Sequence, residues 1–182
     1  MLIEIINSSL PEQLIVLIIA ALPVVELRGS IPVAMDIFRM PWYQSLALSI
    51  IGNLLPVPFL LLFYDSLAHL VRRFNKGKRF MQWLNRRTRR QAVVIEKYKH
   101  VGLIIFVAIP IPGTGAWTGS ITAHLLRMKF RHAFFDIALG VIVASLIVTA
   151  LVLLGWIGAG IAIAGVIILT TVSLRRRELP KT

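Results

Sequence analysis

The chain contains no cysteine, and only 8 of its 182 residues are Asp or Glu. Without cysteine there is no disulfide framework, no thiolate metal site and no cysteine nucleophile. Charge of either sign is scarce, at 15% of residues, where a soluble domain carries about 25%. A chain that is 57% hydrophobic and this poor in charge cannot cover a water-facing surface, and a bilayer is the solvent that suits it. Also missing are a Walker motif, a Ser/His/Asp grouping and paired catalytic carboxylates. His100, His124 and His132 lack metal-ligand spacing. The expectation is therefore a protein that is not an enzyme, with no catalytic residue, no metal and no cofactor. The N-terminus lacks the positive region of a secretory signal, because Glu4 and Glu12 stand there instead.

What charge there is comes in clusters. The formal net charge is +12, and of 20 Lys and Arg, 11 fall in residues 72–99. Arg127, Lys129 and Arg131 form a second group, and Arg175, Arg176, Arg177 and Lys181 a third. Each group adjoins apolar sequence, which reads as the positive-inside rule of membrane proteins, with no nucleic acid as partner. Phe80, Trp83 and Leu84 share one helical face within 72–99, as in an interfacial helix drawn to anionic lipid headgroups.

The apolar stretches are 13–25, 31–38, 42–71, 101–112, 120–126, 133–154 and 155–174. Crossing a membrane takes about 20 residues, so 42–71, 133–154 and 155–174 suffice alone. Asn53, Pro56 and Pro58 predict an interruption in the first of these. The four short stretches pair up around joints at 23–32 and 110–120, where Pro23, Pro32, Pro110, Pro112, Gly113 and Gly115 oppose a continuous helix. If both pairs crossed fully, the basic groups would fall on opposite faces. If both are re-entrant hairpins, one face holds 18 of the 20 basic residues. The second topology obeys the positive-inside rule. It puts the N-terminus outside and the C-terminal tail in the cytoplasm of a prokaryotic inner membrane.

The two halves also resemble each other. Leu17-Ile18-Ile19-Ala20-Ala21-Leu22-Pro23 matches Ile104-Ile105-Phe106-Val107-Ala108-Ile109-Pro110, and Arg39-Met40 matches Arg127-Met128. Gly52 follows Arg39 at the same distance as Gly140 follows Arg127. With one spanning helix between the hairpins, the second repeat is inverted relative to the first, as the charges independently require. The expected fold is an all-α integral membrane protein of two inverted repeats. Repeat 1 covers 12–71 (re-entrant hairpin 13–38, spanning helix 42–71). A basic cytoplasmic segment covers 72–99. Repeat 2 covers 100–154 (hairpin 101–126, spanning helix 133–154). An extra transmembrane helix at 155–174 and a tail at 175–182 follow. Inverted repeats with broken helices are a transporter signature.

Irregular backbone inside a membrane must be buried in protein or face a wet cavity, so the two tips are expected to line one site. Glu26 and Arg28 lie in the first tip; charge there is costly and points to function. The two could instead form a structural ion pair closing the tip, or a salt bridge that also gates. In the second tip, Gly113, Thr114 and Gly115 offer amides to an anion, or the glycines serve only the turn. Arg28 is the natural partner of a phosphate, since its planar fork binds two oxygens at once. Trp117 is placed to stack on a ligand or to anchor at the interface. Asp36, Arg39, Asp65, Asp136 and Arg127 are secondary candidates, with snorkelling or capping as the plainer reading; Asp65 and Asp136 are also candidate proton carriers.

Two stretches carry a family resemblance. Glu26-Leu27-Arg28-Gly29-Ser30-Ile31-Pro32 and Phe106 through Gly119 resemble the signature stretches of the small multidrug export protein family, over most of 12–155. The arrangement of paired re-entrant hairpins is similar to that of the DedA class of membrane proteins, a likeness of architecture more than of residues. Members of that class are implicated in moving lipids, including undecaprenyl phosphate. The resemblances imply a transporter or flippase for a phosphate-bearing lipid such as a polyprenyl phosphate, with Glu26 coupling to protons or gating. A proton-coupled exporter of cationic amphiphiles, with Glu26 as cation site, is the first alternative. A non-transporting scaffold whose basic loop docks partners is the second. So small a chain encloses a path more readily as a homodimer.

Overall fold

The computed structural model describes Ile6 and residues 10–63, 99–111, 114–161 and 163–165. Gly113, Asp65, residues 72–98 and the tail at 175–182 lie outside the described residues. Among the described residues every regular element is helical.

The first hairpin pairs α1 (Glu12–Ala21) with α2 (Glu26–Pro32). Pro11 opens α1, and its carbonyl accepts from the amides of Leu14 and Ile15 at 2.9 and 3.1 Å. Proline is well suited there, because amides in the first turn have no helical acceptor and its φ is already helical. Leu22 to Val25 make the turn, with Val24 at φ 80°. Pro32 is the last residue of α2, but it does not break the helical path. The chain continues directly into a π-helix at Val33–Ile37. The first joint is thus shorter than its prolines suggest, and Glu26 to Pro32 is helix.

The second hairpin pairs α4 (Lys99–Ala108) with α5 (Ala116–Leu125). Its joint is also shorter than expected, because Trp117 to Ser120 already belong to α5. The arms α1, α4 and α5 have 10 residues each. At about 1.5 Å per residue such an arm reaches roughly half of a ~30 Å hydrocarbon core, so none crosses alone.

Among the described residues, two helices are long and apolar enough to cross a membrane. One runs from Trp42 to Phe63, as α3 (Trp42–Leu54) and, after the expected interruption at Leu55 and Pro56, helix again over 57–63. The other is α6 (Phe130–Leu153). Only 28% and 39% of their most apolar stretches are buried. The core helix of a soluble protein buries most of such a surface. Here Phe59, Leu62, Phe63, Phe135, Leu139 and Leu146 face outward, as expected of helices that meet lipid. α6 ends at Gly155, whose φ of 57° is the left-handed cap that glycine adopts at no steric cost. An apolar helix, α7 (Trp156–Gly165), follows.

The two hairpins dock in matching ways. α1 packs on α3 as α4 packs on α6, and α2 and α5 each pack on the long helix that follows them. Gly52 of α3 lies against Leu17 and Ala20; Gly140 of α6 lies against Ile104 and Val107. These are the residues that the sequence match pairs. Each hairpin closes with an arginine at positive φ, Arg39 at 54° and Arg127 at 50°. In each the next methionine returns its amide to an alanine carbonyl, Met40 to Ala34 at 2.9 Å and Met128 to Ala123 at 3.0 Å. The core joins both halves through Leu27, Ile31, Val57, Leu103, Val107, Ile137 and Val141.

A Cβ at Gly52 would come within 2.6 Å of the Leu17 carbonyl, and one at Gly140 within 2.7 Å of Val107. Gly52→Ala and Gly140→Ala are therefore each expected to destabilise by about 1–3 kcal/mol, by the same overpacking. Thermal melts of the two variants in detergent, compared with Gly160→Ala, which meets nothing within 4 Å, check this.

Candidate functional site

α2 and the start of α5 bring together residues that lie far apart in the chain. Glu26 is 4% exposed. Its Oε1 accepts the backbone amide of Trp117 at 3.2 Å, across 91 positions. That amide belongs to the first turn of α5, where helix donors have no internal acceptor and the helix dipole favours negative charge. Gly115, which precedes the helix, makes no side-chain cap, so Glu26 supplies from another hairpin the anion this end requires. Gly115 has φ 145°, a conformation left to glycine, and a Cβ there would overlap the Glu26 carboxylate.

Arg28 ties the same two tips together. Its Nη1 donates to Glu26 Oε2 at 3.4 Å. Its Nη2 donates to the carbonyl of Ile109 at 3.3 Å, to Thr114 Oγ1 at 3.1 Å and to the Thr114 carbonyl. The Thr114 hydroxyl in turn donates to the carbonyls of Ile109 at 2.7 Å and Ile111 at 2.9 Å, which braces the second tip. The Trp117 ring nitrogen donates to the Ala21 carbonyl at 3.1 Å and so anchors α5 to the end of α1. The Glu26–Arg28 ion pair is present, but it does more than close its own tip: both side chains bond across to the other hairpin.

Beside this junction lies a cavity of about 800 Å³. Arg28, Pro32 and Asp36 form one side, Ile109 to Ile111 the floor, and the end of α6 with α7 the rest. Among the described residues, Arg28 and Asp36 are its only charged lining residues; the rest are apolar side chains, proline or glycine. The size suits a small molecule, for which pockets run about 300–1,000 Å³. The arrangement can hold an amphiphile, with a charged group at Arg28 and apolar parts along α6 and α7.

Of the candidates from the sequence, Glu26, Arg28, Thr114, Gly115 and Trp117 meet at this junction, and Asp36 is exposed at the cavity. Arg39 and Arg127 are exposed at the hairpin ends. Arg127 lines a separate cavity of about 550 Å³ with His124, Leu61 and Phe130. The Asp136 carboxylate accepts from His100 Nδ1 at 2.7 Å, and the His100 and His132 rings meet edge-on at 5.3 Å. His132 and Asp136 are one turn apart on α6, a spacing that could have suggested a shared face.

Sequence reasoning also missed a buried polar stripe. Ser45, Ser49 and Asn53, four residues apart, fill one face of α3, and Ser49 accepts a hydrogen bond from Ser30 of α2 at 2.7 Å. Asn53 is fully buried, and both its amide atoms lack partners among the described residues; the Thr149 hydroxyl is in the same position. An unpaired buried amide costs about 1–3 kcal/mol. Asn53→Val is therefore expected to raise the melting temperature in detergent. If activity falls while stability rises, the polar stripe serves function.

A model of the family described as "Putative small multi-drug export protein" matches residues 26–147. No curated protein and no solved structure matches the chain.

Proposed function

The chain belongs to the small multi-drug export protein family, and from that premise we propose that it is a membrane transporter whose substrate site is the junction of the two hairpin tips. The substrate is an amphiphile with a phosphate-bearing head, of the kind a polyprenyl phosphate presents. One observation carries this reading: Arg28, a largely buried arginine, lies on the wall of a cavity of about 800 Å³ whose described lining, apart from Asp36, is apolar. A guanidinium in such surroundings recognises an oxyanion in a bidentate way while the apolar walls take the chain.

Two inverted repeats form the transport machinery. The matched glycine contacts of Gly52 and Gly140, and the matched closures at Arg39 and Arg127, support this reading. The hairpins then enter from opposite faces and meet between the spanning helices, with the basic groups and the C-terminus in the cytoplasm. Glu26 gates the site, because its release from Trp117 and Arg28 unties the tips.

The test is a titration of the purified protein and of Arg28→Lys with a short-chain polyprenyl phosphate, followed by thermal shift. A ligand of the folded state raises its melting temperature. A rise in the wild type that is reduced in Arg28→Lys supports the reading; no rise in the wild type overturns it. A second reading, export of cationic amphiphiles, is favoured by the family description and by exposed Asp36 at the cavity. It requires that cells expressing the protein gain resistance and that Glu26→Gln lose it. Absence of any resistance shift defeats that reading.

A further inference from the structure

We propose that the Glu26 carboxylate is a built-in competitor of the substrate: it occupies the seat that an anionic head takes, and the substrate enters by displacing it. This rests on the reading of the tip junction as the substrate site.

The seat is made for an anion and is filled by one. The first turn of α5 points the Trp117 amide at Glu26 Oε1. Gly115 leaves the space that the carboxylate fills, and Arg28 brackets it from the cavity side at 3.4 Å. α5 has ten residues and no side-chain cap of its own, so an acceptor must reach it from elsewhere.

Three observations separate a displaceable occupant from a permanent cap. First, the seat adjoins the 800 Å³ cavity through Arg28, so a head bound at Arg28 is beside it. Second, Arg28 Nε is buried without a partner among the described residues, which leaves the guanidinium capacity for one more acceptor. Third, Glu26 reaches the seat from a backbone at φ 50°, two residues after Val24 at 80°, a conformation that side-chain-bearing residues rarely hold. Exchange of one anion for another keeps Arg28 and the start of α5 neutralised throughout. A cation in the same seat would face both the guanidinium and the positive end of the helix. The head that fits is therefore an anion, a phosphate above all, for it can take the Trp117 amide and the Arg28 fork together.

The experiment titrates the full chain in detergent with a short-chain polyprenyl phosphate, with inorganic phosphate and with a cationic amphiphile, in wild type, Glu26→Gln and Glu26→Asp. Glutamine keeps the oxygen that accepts from Trp117 but not the charge, and aspartate retracts the carboxylate by one methylene. Glu26→Gln should bind the prenyl phosphate on the order of tenfold more tightly than wild type, the scale of losing one charge-assisted bond, with Glu26→Asp between them. A parallel gain for inorganic phosphate assigns the seat to the headgroup alone; a gain confined to the prenyl ligand assigns it to the lipid. Equal or weaker prenyl phosphate binding by a folded Glu26→Gln overturns the competitor while leaving the transporter reading standing, and a failed fold in that variant passes the decision to Glu26→Asp. Binding of the cationic amphiphile alone, lost in Glu26→Gln, overturns both.

Discussion

Replacing Arg28 with alanine is expected to destabilise the protein by about 3–5 kcal/mol, the cost of leaving a buried charge without its partner. The reason lies in what the guanidinium does. It is the counter-charge of Glu26, which is 4% exposed. It is also the donor to the carbonyls of Ile109 and Thr114 in the other tip. Alanine removes both functions and leaves the buried Glu26 carboxylate at the start of α5 without its counter-charge. Arg28→Lys keeps the charge, but a point charge cannot reproduce a fork that reaches Glu26 and Thr114 together, so an intermediate loss is expected. The double variant Arg28→Ala with Glu26→Gln recovers part of the loss, because the stranded charge is gone. Unfolding in mixed micelles, arranged as a double-mutant cycle, measures the coupling. An additive result would mean that the two side chains act independently and that Arg28 is not the counter-charge of Glu26.

Gly115→Ala should be damaging on a similar scale, for two separate reasons. At φ 145° the backbone of Gly115 lies in a region open essentially to glycine alone, and forcing another residue into it costs about 1–3 kcal/mol. The new methyl would also overlap the Glu26 carboxylate and expel it from the Trp117 amide and Arg28, forfeiting charge-assisted bonds worth about 1.5–3 kcal/mol each. Glu26→Gln does not relieve the clash, since glutamine has the same size, and Glu26→Ala does. If Gly115→Ala is rescued in part by Glu26→Ala, measured as recovered melting temperature, the contact between the tips is the cause. If no rescue occurs, the backbone alone accounts for the loss.

The junction holds the two hairpin tips together, and it is the substrate site proposed here. The bonds that hold the two tips together are made by the residues best able to bind an anion. A ligand that competes for Arg28 or for the start of α5 therefore loosens the contact between the hairpins.

The break at Leu55 and Pro56 and the two hairpin turns were legible because proline and glycine act locally: a missing donor or a missing Cβ changes the backbone wherever it stands. Their exact reach was not. Pro32 lies inside a helix because a π-helix follows it, and α5 starts at Ala116 because its first donors are satisfied by Glu26. Neither compensation is visible in the local sequence. The buried stripe of Ser45, Ser49 and Asn53 has helical spacing that could have been read, but nothing in the sequence says which face of α3 is buried.

The sequence by itself determined the solvent and the element type: an apolar, charge-poor chain with long apolar runs must satisfy its backbone internally, and helices do so within one segment. It also singled out Glu26 and Arg28, since a charged pair between apolar stretches is costly anywhere in the chain. The tertiary structure alone decided what those charges do. Glu26 meets an amide 91 positions away, and Arg28 meets Thr114 across 86. Such pairings depend on how two hairpins dock through Gly52 and Gly140, a matter of packing over the whole core that no local pattern of residues encodes.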